Sequence, residues 1–438
     1  MAEIDTSRRV PRIVVLGGGF AGAYCAQGLE RLLRSGEAEV VLIDRNNYFL
    51  FYPLLVEAGT GSLEPRHAVV SIRAFLRRTR FVMGEVTDLD PQARRVRYRL
   101  AGAGDSLTME YDHLVVTLGS VTHLPPVPGL AEHGFEMKNL SDAVRLRDHA
   151  IRQLERADAE DDPEIRRRLL HFVVVGANFT GVEVVGEFDV FLARARREYS
   201  NIDARDVTLT LVELNRRILP ALDEELAAYA VDRLQRRGIH LELETSIDQV
   251  EKERATLSDG RVLPTETVIW CAGIAPPPLL RKLPLPVDTR GYLECERDLR
   301  VKGFDHLWAI GDSASNPGPD GVPYPATAQH AVQQGKHAAR NIVRTLRGRA
   351  ATPCNIRSRG ALAALGCRTA VAKVFGVKLS GFPAWFLWRT VYLMKMPGWS
   401  RRLRVALDWT VDIFFPRDSV QLGLTSGSRG SQAADQSR

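Results

Sequence analysis

The same short layout occurs twice along this chain, and it constrains the fold more than any other feature. Residues 12–23 (RIVVLGGGFAGA) give an apolar β-branched run, a glycine-rich turn and the start of a helical stretch that reaches about residue 34. Residues 39–44 (EVVLID) then form a second apolar run closed by Asp44. Residues 171–182 (HFVVVGANFTGV) repeat the pattern, with a helical stretch to about residue 199 and a strand pattern over 207–214 that carries Glu213. Strand, glycine turn, helix, strand and closing acid are the parts of a βαβ unit that binds a dinucleotide, and two such units predict two nucleotide sites.

In the first unit the glycines are Gly17, Gly19 and Gly22. The first permits the tight turn, the second lets the backbone approach a pyrophosphate, and the third lets helix and strand pack closely, with the helix N-terminus facing the anion. Asp44 follows at about 20 residues, where an acid accepts a ribose hydroxyl. A late strand, 307–312 (LWAIGD), ends in Gly311-Asp312, the place where flavin reductases with two such units hold the ribityl and pyrophosphate region. These residues predict an FAD site.

The second fingerprint is Gly176, Asn178 and Gly181, with Asn in place of the middle glycine. Asn tolerates positive φ better than most residues, but its side chain is expected to crowd the pyrophosphate. Glu213 closes the next strand after a long spacing, because 193–206 reads as an insertion. An acid there suits the 2′-hydroxyl of NADH and repels the 2′-phosphate of NADPH, while Arg216 and Arg217 keep NADPH open. Gly273, at the end of strand 267–274, is placed with the NADH site. Glu183 falls two residues past Gly181 and reads as a first-turn acid aimed at the nicotinamide or flavin edge, able to relay a proton. The bland alternative is a carboxylate complementing the helix dipole. Cys271 sits beside the same crevice and reads as a buried structural thiol, as does Cys25.

The remaining pattern organises the chain. Residues 96–100 and 107–111 alternate around a glycine turn as a hairpin, and 113–120 re-enters a parallel sheet. Residues 239–244, a turn at 258–260, and 267–274 repeat this in the second half. A helix is expected from about 327 to 347 and a short antiparallel pair within 360–381. Two amphipathic stretches, 383–396 and 401–415, are split by Pro397-Gly398. The fold class is α/β, with two Rossmann-type dinucleotide-binding domains and a C-terminal amphipathic helical region. The expected boundaries are 10–120 and 291–350 for the FAD domain, 121–290 for the NADH domain, 351–422 for the C-terminal region and 423–438 for a disordered tail.

Composition sets the outer limits. The 438 residues fit two or three domains, and 45% apolar with 26% charged content fits a folded chain. A net charge of +6 is too modest to single out nucleic acid, which is not expected as a partner. Five cysteines without a C-x-x-C point to neither a disulfide framework nor a zinc site, and the ten histidines show no metal-ligand spacing. The polar first twelve residues do not read as a secretory signal, and no stretch reaches the roughly 18 apolar residues of a spanning helix.

On these residues the chain resembles the type II NADH dehydrogenases, single-subunit NADH:quinone oxidoreductases that bind respiratory membranes without pumping protons. Residues 44–65 (DRNNYFLFYPLLVEAGTGSLEP) look like the family segment after the second strand. Residues 179–188 look like its NADH helix, with Glu183 at the functional glutamate. Residues 328–335 (AQHAVQQG) match the A-Q-x-A-x-Q-x-G signature. The resemblance implies that Ala328, Gln329 and Gln333 line the flavin and the quinone tunnel, where an amide can hydrogen-bond a quinone carbonyl without adding charge. It also implies a quinone acceptor (menaquinone or ubiquinone), a peripheral place on the cytoplasmic face of the cell membrane through the C-terminal helices, and a homodimer. Trp385, Trp388 and Tyr392 are expected at the headgroup interface, and Leu403, Leu407, Val411 and Phe414 as one apolar stripe. Thr117-Leu118-Gly119 replaces the usual Ala-Thr-Gly, and Tyr52 stands where many bacterial members have Gln. Three other readings stay open: a sulfide:quinone oxidoreductase, which needs a redox cysteine pair; a soluble reductase of an electron-carrier protein; and a non-catalytic NADH-binding regulator.

Overall fold

The structure, a computed structural model, describes residues 9–423 apart from 103, 416, 418 and 422. Of the expected tail over 423–438, residues 424–438 lie outside the described residues, as does the segment 1–8. In chain order the elements that matter are β1 (Arg12–Leu16), α1 (Phe20–Leu32), β2 (Glu39–Asp44), α2 (Leu55–Gly59), β3 (Arg80–Asp90), β4 (Arg95–Leu100), β5 (Ser106–Glu110) and β6 (His113–Val116). There follow β7 (Gly134–Glu136), α3 (Leu140–Asp158), β8 (His171–Val175), α4 (Phe179–Ala195), β9 (Thr208–Glu213), α5 (Glu224–Gln235), β10 (His240–Leu243), and β11, β12 and β13 (Ile247–Val250, Arg254–Leu257, Val262–Pro264). The last are β14 (Thr267–Trp270), β15 (Leu307–Ala309), α6 (Ala328–Leu346), β16, β17 and β18 (Gly360–Ala364, Ala370–Val374, Val377–Ser380), α7 (Gly381–Lys395) and α8 (Trp399–Phe414).

The described residues form two compact units, the first from 9–50, 69–121 and 274–358, the second from 51–68, 122–273 and 359–423. The first unit holds a seven-stranded sheet in the order β15-β6-β1-β2-β3-β4-β5. Its β15, β6, β1, β2 and the start of β3 run parallel, and the remainder of β3 turns into the antiparallel ribbon with β4 and β5. The central strand β1 is apolar at four consecutive positions, Ile13–Leu16, all fully buried, which is the pattern of a strand covered on both faces. Helices α1 and α6 pack at backbone range: a Cβ on Gly335 would lie 2.4 Å from Ala21 O.

The second unit holds a five-stranded parallel sheet in the order β7-β14-β8-β9-β10, with β8 in register with β9 from His171↔Thr208 to Val175↔Val212. A three-stranded antiparallel sheet, β11-β12-β13, shares one apolar core with β8 and β14 through Val173, Val175, Ile247, Ala255, Val268 and Trp270. Helix α4 ends at Ala195, so the expected insertion begins only after it, as 3-10 turns at Arg196–Glu198 and Ala204–Asp206. The expected antiparallel pair near residue 370 is a three-stranded sheet, β16-β17-β18. Gly376 (φ +86°) and Phe375 (φ +49°) make a tight turn that leaves Val377–Ser380 long enough to pair again.

Candidate active site

In the first unit the fingerprint loop leaves the C-terminal end of β1. Gly17 has φ +98°, and a Cβ there would lie 2.2 Å from Thr117 O, so only glycine fits. A Cβ on Gly22 would lie 1.9 Å from Gly17 O. Gly19 caps α1 with no side-chain hydrogen bond, and a Cβ there would meet nothing within 4 Å. The helix N-terminus thus opens onto free space, which is the cradle a pyrophosphate requires. Thr117, at the departure from the usual alanine, donates its hydroxyl to Gly17 O (2.7 Å) and Leu16 O (2.9 Å), fastening the loop to β6. Asp44 accepts from Gly18 N (2.6 Å) through Oδ2 and from Asn46 N (2.6 Å) through Oδ1. A carboxylate offers about four acceptor positions, so two remain for ribose hydroxyls. Burial raises the Asp44 pKa, and the two backbone N–H groups oppose that shift.

At the end of β15, Gly311 and Asp312 form a 3-10 turn. Gly311 N donates to Gln334 Oε1 (2.7 Å), and Ser120 Oγ donates to Asp312 Oδ2 (3.1 Å). Gly311, Asp312, Tyr292, His330, Ala331 and Gln334 line a cleft of about 300 Å³. Ala328 opens α6, whose N-cap Thr327 accepts from His330 N. Gln329 and Gln333 are half-buried one turn apart: Gln329 Nε2 donates to Ser358 Oγ (3.2 Å) and Gln333 Nε2 to Gln329 O (3.3 Å). Sequence reasoning selected these two glutamines and passed over Gln334, the one that reaches the Gly-Asp turn. The doubled Gln333-Gln334 was the available signal, since adjacent helical positions point to different faces.

The second unit repeats the loop. A Cβ on Gly181 would lie 1.7 Å from Gly176 O, and one on Gly176 (φ +94°) 2.7 Å from Ala272 Cα. Glu213 mirrors Asp44, accepting from Ala177 N (2.6 Å) through Oε2 and from Asn215 N (2.9 Å) and Nδ2 (2.6 Å) through Oε1. Asn178, the residue expected to crowd a pyrophosphate, is held by the helix it caps and by the end of the neighbouring strand. Its backbone is extended rather than left-handed, its Oδ1 caps α4 by accepting from Gly181 N (3.1 Å), and its Nδ2 donates to Cys271 O (2.8 Å). Gly273 O accepts from His123 N, and Trp270 Nε1 donates to His123 O and Ala272 O, which fixes the end of β14. Cys271 is buried and free, its thiol pushed up to about 12 by burial, as is that of Cys25; neither is poised as a thiolate.

Glu183 lies in the second turn of α4, not the first, and the first turn carries no acid. That removes the dipole-complement reading. Its Oε1 accepts from Ala364 N (3.1 Å) and Trp388 Nε1 (3.3 Å), and Gly186 one turn on lets β16 approach, since a Cβ there would lie 2.4 Å from Leu365 O. Burial raises the Glu183 pKa to about 8 against these two donors, with Glu57 and Glu187 adding repulsion.

Around it lies a buried charge network that the sequence did not disclose. Glu57 on α2 accepts from Trp409 Nε1 (2.8 Å) on α8 and faces the Arg389 guanidinium (3.9 Å), which is sandwiched between the Trp385 and Trp409 rings at 4.4 and 4.6 Å. Burial raises the Glu57 pKa to about 7, against the nearby Arg389. Arg417 closes the network, bonding Glu187 (3.0 Å) and Asp412 (3.0 Å), and Asp412 also takes Arg194 (2.9 Å). Trp388 is 2% exposed and Tyr392 is half-buried against Phe51 and Trp388, so these two aromatics face protein rather than headgroups. The outward residues of α7 are Phe382, Phe386 and Met394, so α7 is apolar on more than one side. The α8 stripe is exposed as expected, with Leu403, Leu407, Val411 and Phe414 at 51, 55, 54 and 74%. Tyr52 is exposed, with the Lys138 ammonium over its ring at 5.3 Å.

Two glycine loops, each holding the acid of its second strand by a backbone N–H, define a two-dinucleotide α/β oxidoreductase. A family model for the pyridine nucleotide-disulphide oxidoreductases matches residues 11–335, and one for the NDH2 C-terminal domain matches residues 359–418. Demethylphylloquinone reductase NdbB of Synechocystis is 32% identical over 406 residues, covering 91% of this chain and 95% of that protein. The type II NADH:quinone oxidoreductase Ndh of Mycobacterium tuberculosis is 30% identical over 421 residues, covering 93% and 89%. The chain belongs to the type II NADH:quinone oxidoreductase family. Its fold is shared with NDH2 of Plasmodium falciparum solved in complex with NADH, at a TM-score of 0.88 and 19% identity, over 94% of this chain and 100% of that one.

Proposed function

We infer that this protein is a flavin-dependent NADH:quinone oxidoreductase, and that the duplicated loop-and-acid geometry assigns one nucleotide to each unit. That duplication is the observation that carries the reading. FAD, when bound, supplies the two-electron carrier between nicotinamide and quinone.

In the first unit, Gly17, Gly19 and Gly22 admit the FAD pyrophosphate, Asp44 takes the ribose, and Gly311, Asp312 and Ala328 border the remainder. The open N-cap at Gly19 and the unspent acceptor positions of Asp44 support this fit. In the second unit, Gly176, Gly181 and Gly273 admit NADH, and Glu213 favours its 2′-hydroxyl over a 2′-phosphate. Glu213→Ser is therefore expected to raise the KM for NADH and narrow its advantage over NADPH. Glu183 is assigned to hold and release a proton at its carboxyl, and the amides of Gln329 and Gln333 to hydrogen-bond a quinone carbonyl, of menaquinone or ubiquinone type.

The C-terminal helices are assigned to the cytoplasmic membrane surface. No helix among the described residues is long and apolar enough to cross a membrane. The exposed stripe of α8 beside Arg401, Arg402 and Arg404 suits an in-plane anchor on anionic lipid. The same region is assigned to a homodimer contact, which sedimentation in detergent tests.

The activity is tested by anaerobic stopped-flow spectroscopy. NADH is expected to bleach the flavin and a short-chain quinone to restore it. A flavin that stays oxidised with both NADH and NADPH would refute the assignment of the second loop.

A further inference from the structure

The Glu183 carboxyl is held by two donors of different standing. Ala364 N is a backbone group that any residue at that place would supply. Trp388 Nε1 depends on the residue, since a phenylalanine would keep most of the volume and offer no hydrogen. The Trp388 ring is locked: it is 2% exposed and packs on Tyr392 (centroids 4.9 Å) and Trp409 (6.5 Å). An indole N–H is a donor only, and here its acceptor is Glu183 Oε1. The arrangement is doubled, because Trp409 Nε1 donates to Glu57 Oε2 in the same way.

We propose that Trp388 is a positioning residue for NADH:quinone turnover, fixing the orientation of the Glu183 carboxyl and steadying its ionised form so that the proton there is released and regained in each cycle. This rests on the assignment of Glu183 as the proton-holding group. Quinol formation consumes two electrons and two protons. Hydride from NADH brings both electrons and one proton, the second proton comes from solvent, and a carboxyl that gives its proton and is then reprotonated balances the step.

The groups facing Glu183 are Glu57 from α2, Glu187 on α4 itself, and Tyr392 beside Trp388 on α7, while β16 contributes the Ala364 N–H; Arg389 and Arg417 act on Glu57 and Glu187. Both neighbouring acids disfavour the ionised form, and burial does so more strongly. The indole is the side chain that opposes them.

The test is the pH profile of quinone turnover in wild type, E183Q, W388F and the double variant. Wild type is expected to lose activity as pH rises through about 8. Removing the indole donor to a carboxylate is expected to move that alkaline limb up by about one pH unit. E183Q is expected to abolish the limb, and W388F to add nothing on that background. If E183Q leaves the limb in place, the assignment of Glu183 fails. If E183Q removes it but W388F leaves it unmoved, or lowers turnover equally in both backgrounds, Trp388 is structural and the proposal falls. A second readout does not depend on how W388F folds. In [15N]tryptophan-labelled holoenzyme, one of the six indole N–H signals is expected to titrate with the alkaline limb and to stop moving in E183Q. No such signal would equally overturn the proposal.

Discussion

Replacing Arg417 by methionine removes a buried guanidinium and keeps most of its volume. Two carboxylates lose a partner at once, Glu187 and Asp412, each at 3.0 Å. They are not equally exposed to the loss. Asp412 keeps Arg194 at 2.9 Å, whereas Glu187 is left buried among Glu57 and Glu183 with no cation bonded to it. Breaking one side of a buried pair costs about 3–5 kcal/mol, and the survival of the Asp412–Arg194 bond argues for the lower end, about 3 kcal/mol. For a unit of this size that corresponds to a fall in melting temperature of about 6–12 °C. The assay is thermal unfolding followed by far-ultraviolet circular dichroism on wild type, R417M, E187Q and R417M/E187Q. Neutralising Glu187 removes the stranded charge, so the double variant is expected to recover more than half of the loss. A fall of only about 2 °C, the size of a 1 kcal/mol surface effect, or a double variant as unstable as R417M, would refute the reasoning that Arg417 matters through Glu187.

Asn178→Gly is expected to cost about 1 kcal/mol or less of stability, from the lost cap, and to change the KM for NADH by less than about threefold, a free-energy change under 1 kcal/mol; a much tighter NADH complex in steady-state kinetics would show that the side chain does obstruct the nucleotide. Burial, with His306 nearby, lowers the His113 pKa from 6.5 to about 4. The unfolded chain therefore takes up a proton below about pH 6.5 that the folded one refuses until about pH 4, and stability falls across that window by roughly 3 kcal/mol. Melting temperatures measured from pH 7 to 4 are expected to fall less steeply in His113→Asn, and an unchanged slope would count against the assignment. Leu407→Glu with Val411→Glu on α8 is expected to abolish co-sedimentation with anionic vesicles while leaving NADH turnover with a short-chain quinone within about twofold, under 0.5 kcal/mol; retained vesicle binding would remove α8 as the anchor.

The parts of this protein that sequence discloses are those whose physics is local. The turn at Gly17, the close approach at Gly22 and the strand-end place of Asp44 are legible because each leaves a mark within one βαβ unit. The α8 stripe is legible for the same reason, since Leu403, Leu407 and Val411 recur at the period of one helix face. Helix α7 defeats that method: it is apolar nearly all round, so nothing in its pattern says that Trp388 and Tyr392 turn inward while Phe382 and Phe386 turn out. The partners of Asn178 are not legible, because the Cys271 carbonyl that takes its amide lies just past the end of β14, 93 residues along the chain. The Glu57, Glu187 and Arg417 network leaves no local trace at all, because its members come from stretches of sequence far apart.

The second unit takes in 51–68, 122–273 and the described residues from 359 to 423, and the Arg417 bonds cross between these stretches. During synthesis the ribosome therefore delivers α2 and α4 well before the residues that neutralise and cover them. Domains fold in the order in which they emerge, yet this unit must wait with Glu57, Glu183 and Glu187 still open to water. Helices α7 and α8, which carry Trp388, Arg389 and Trp409, are the pieces that end the wait, and they emerge only after both glycine loops. A ribosome stalled near residue 359 would hold a chain with both loops and an unfinished second core, a natural substrate for proteolysis.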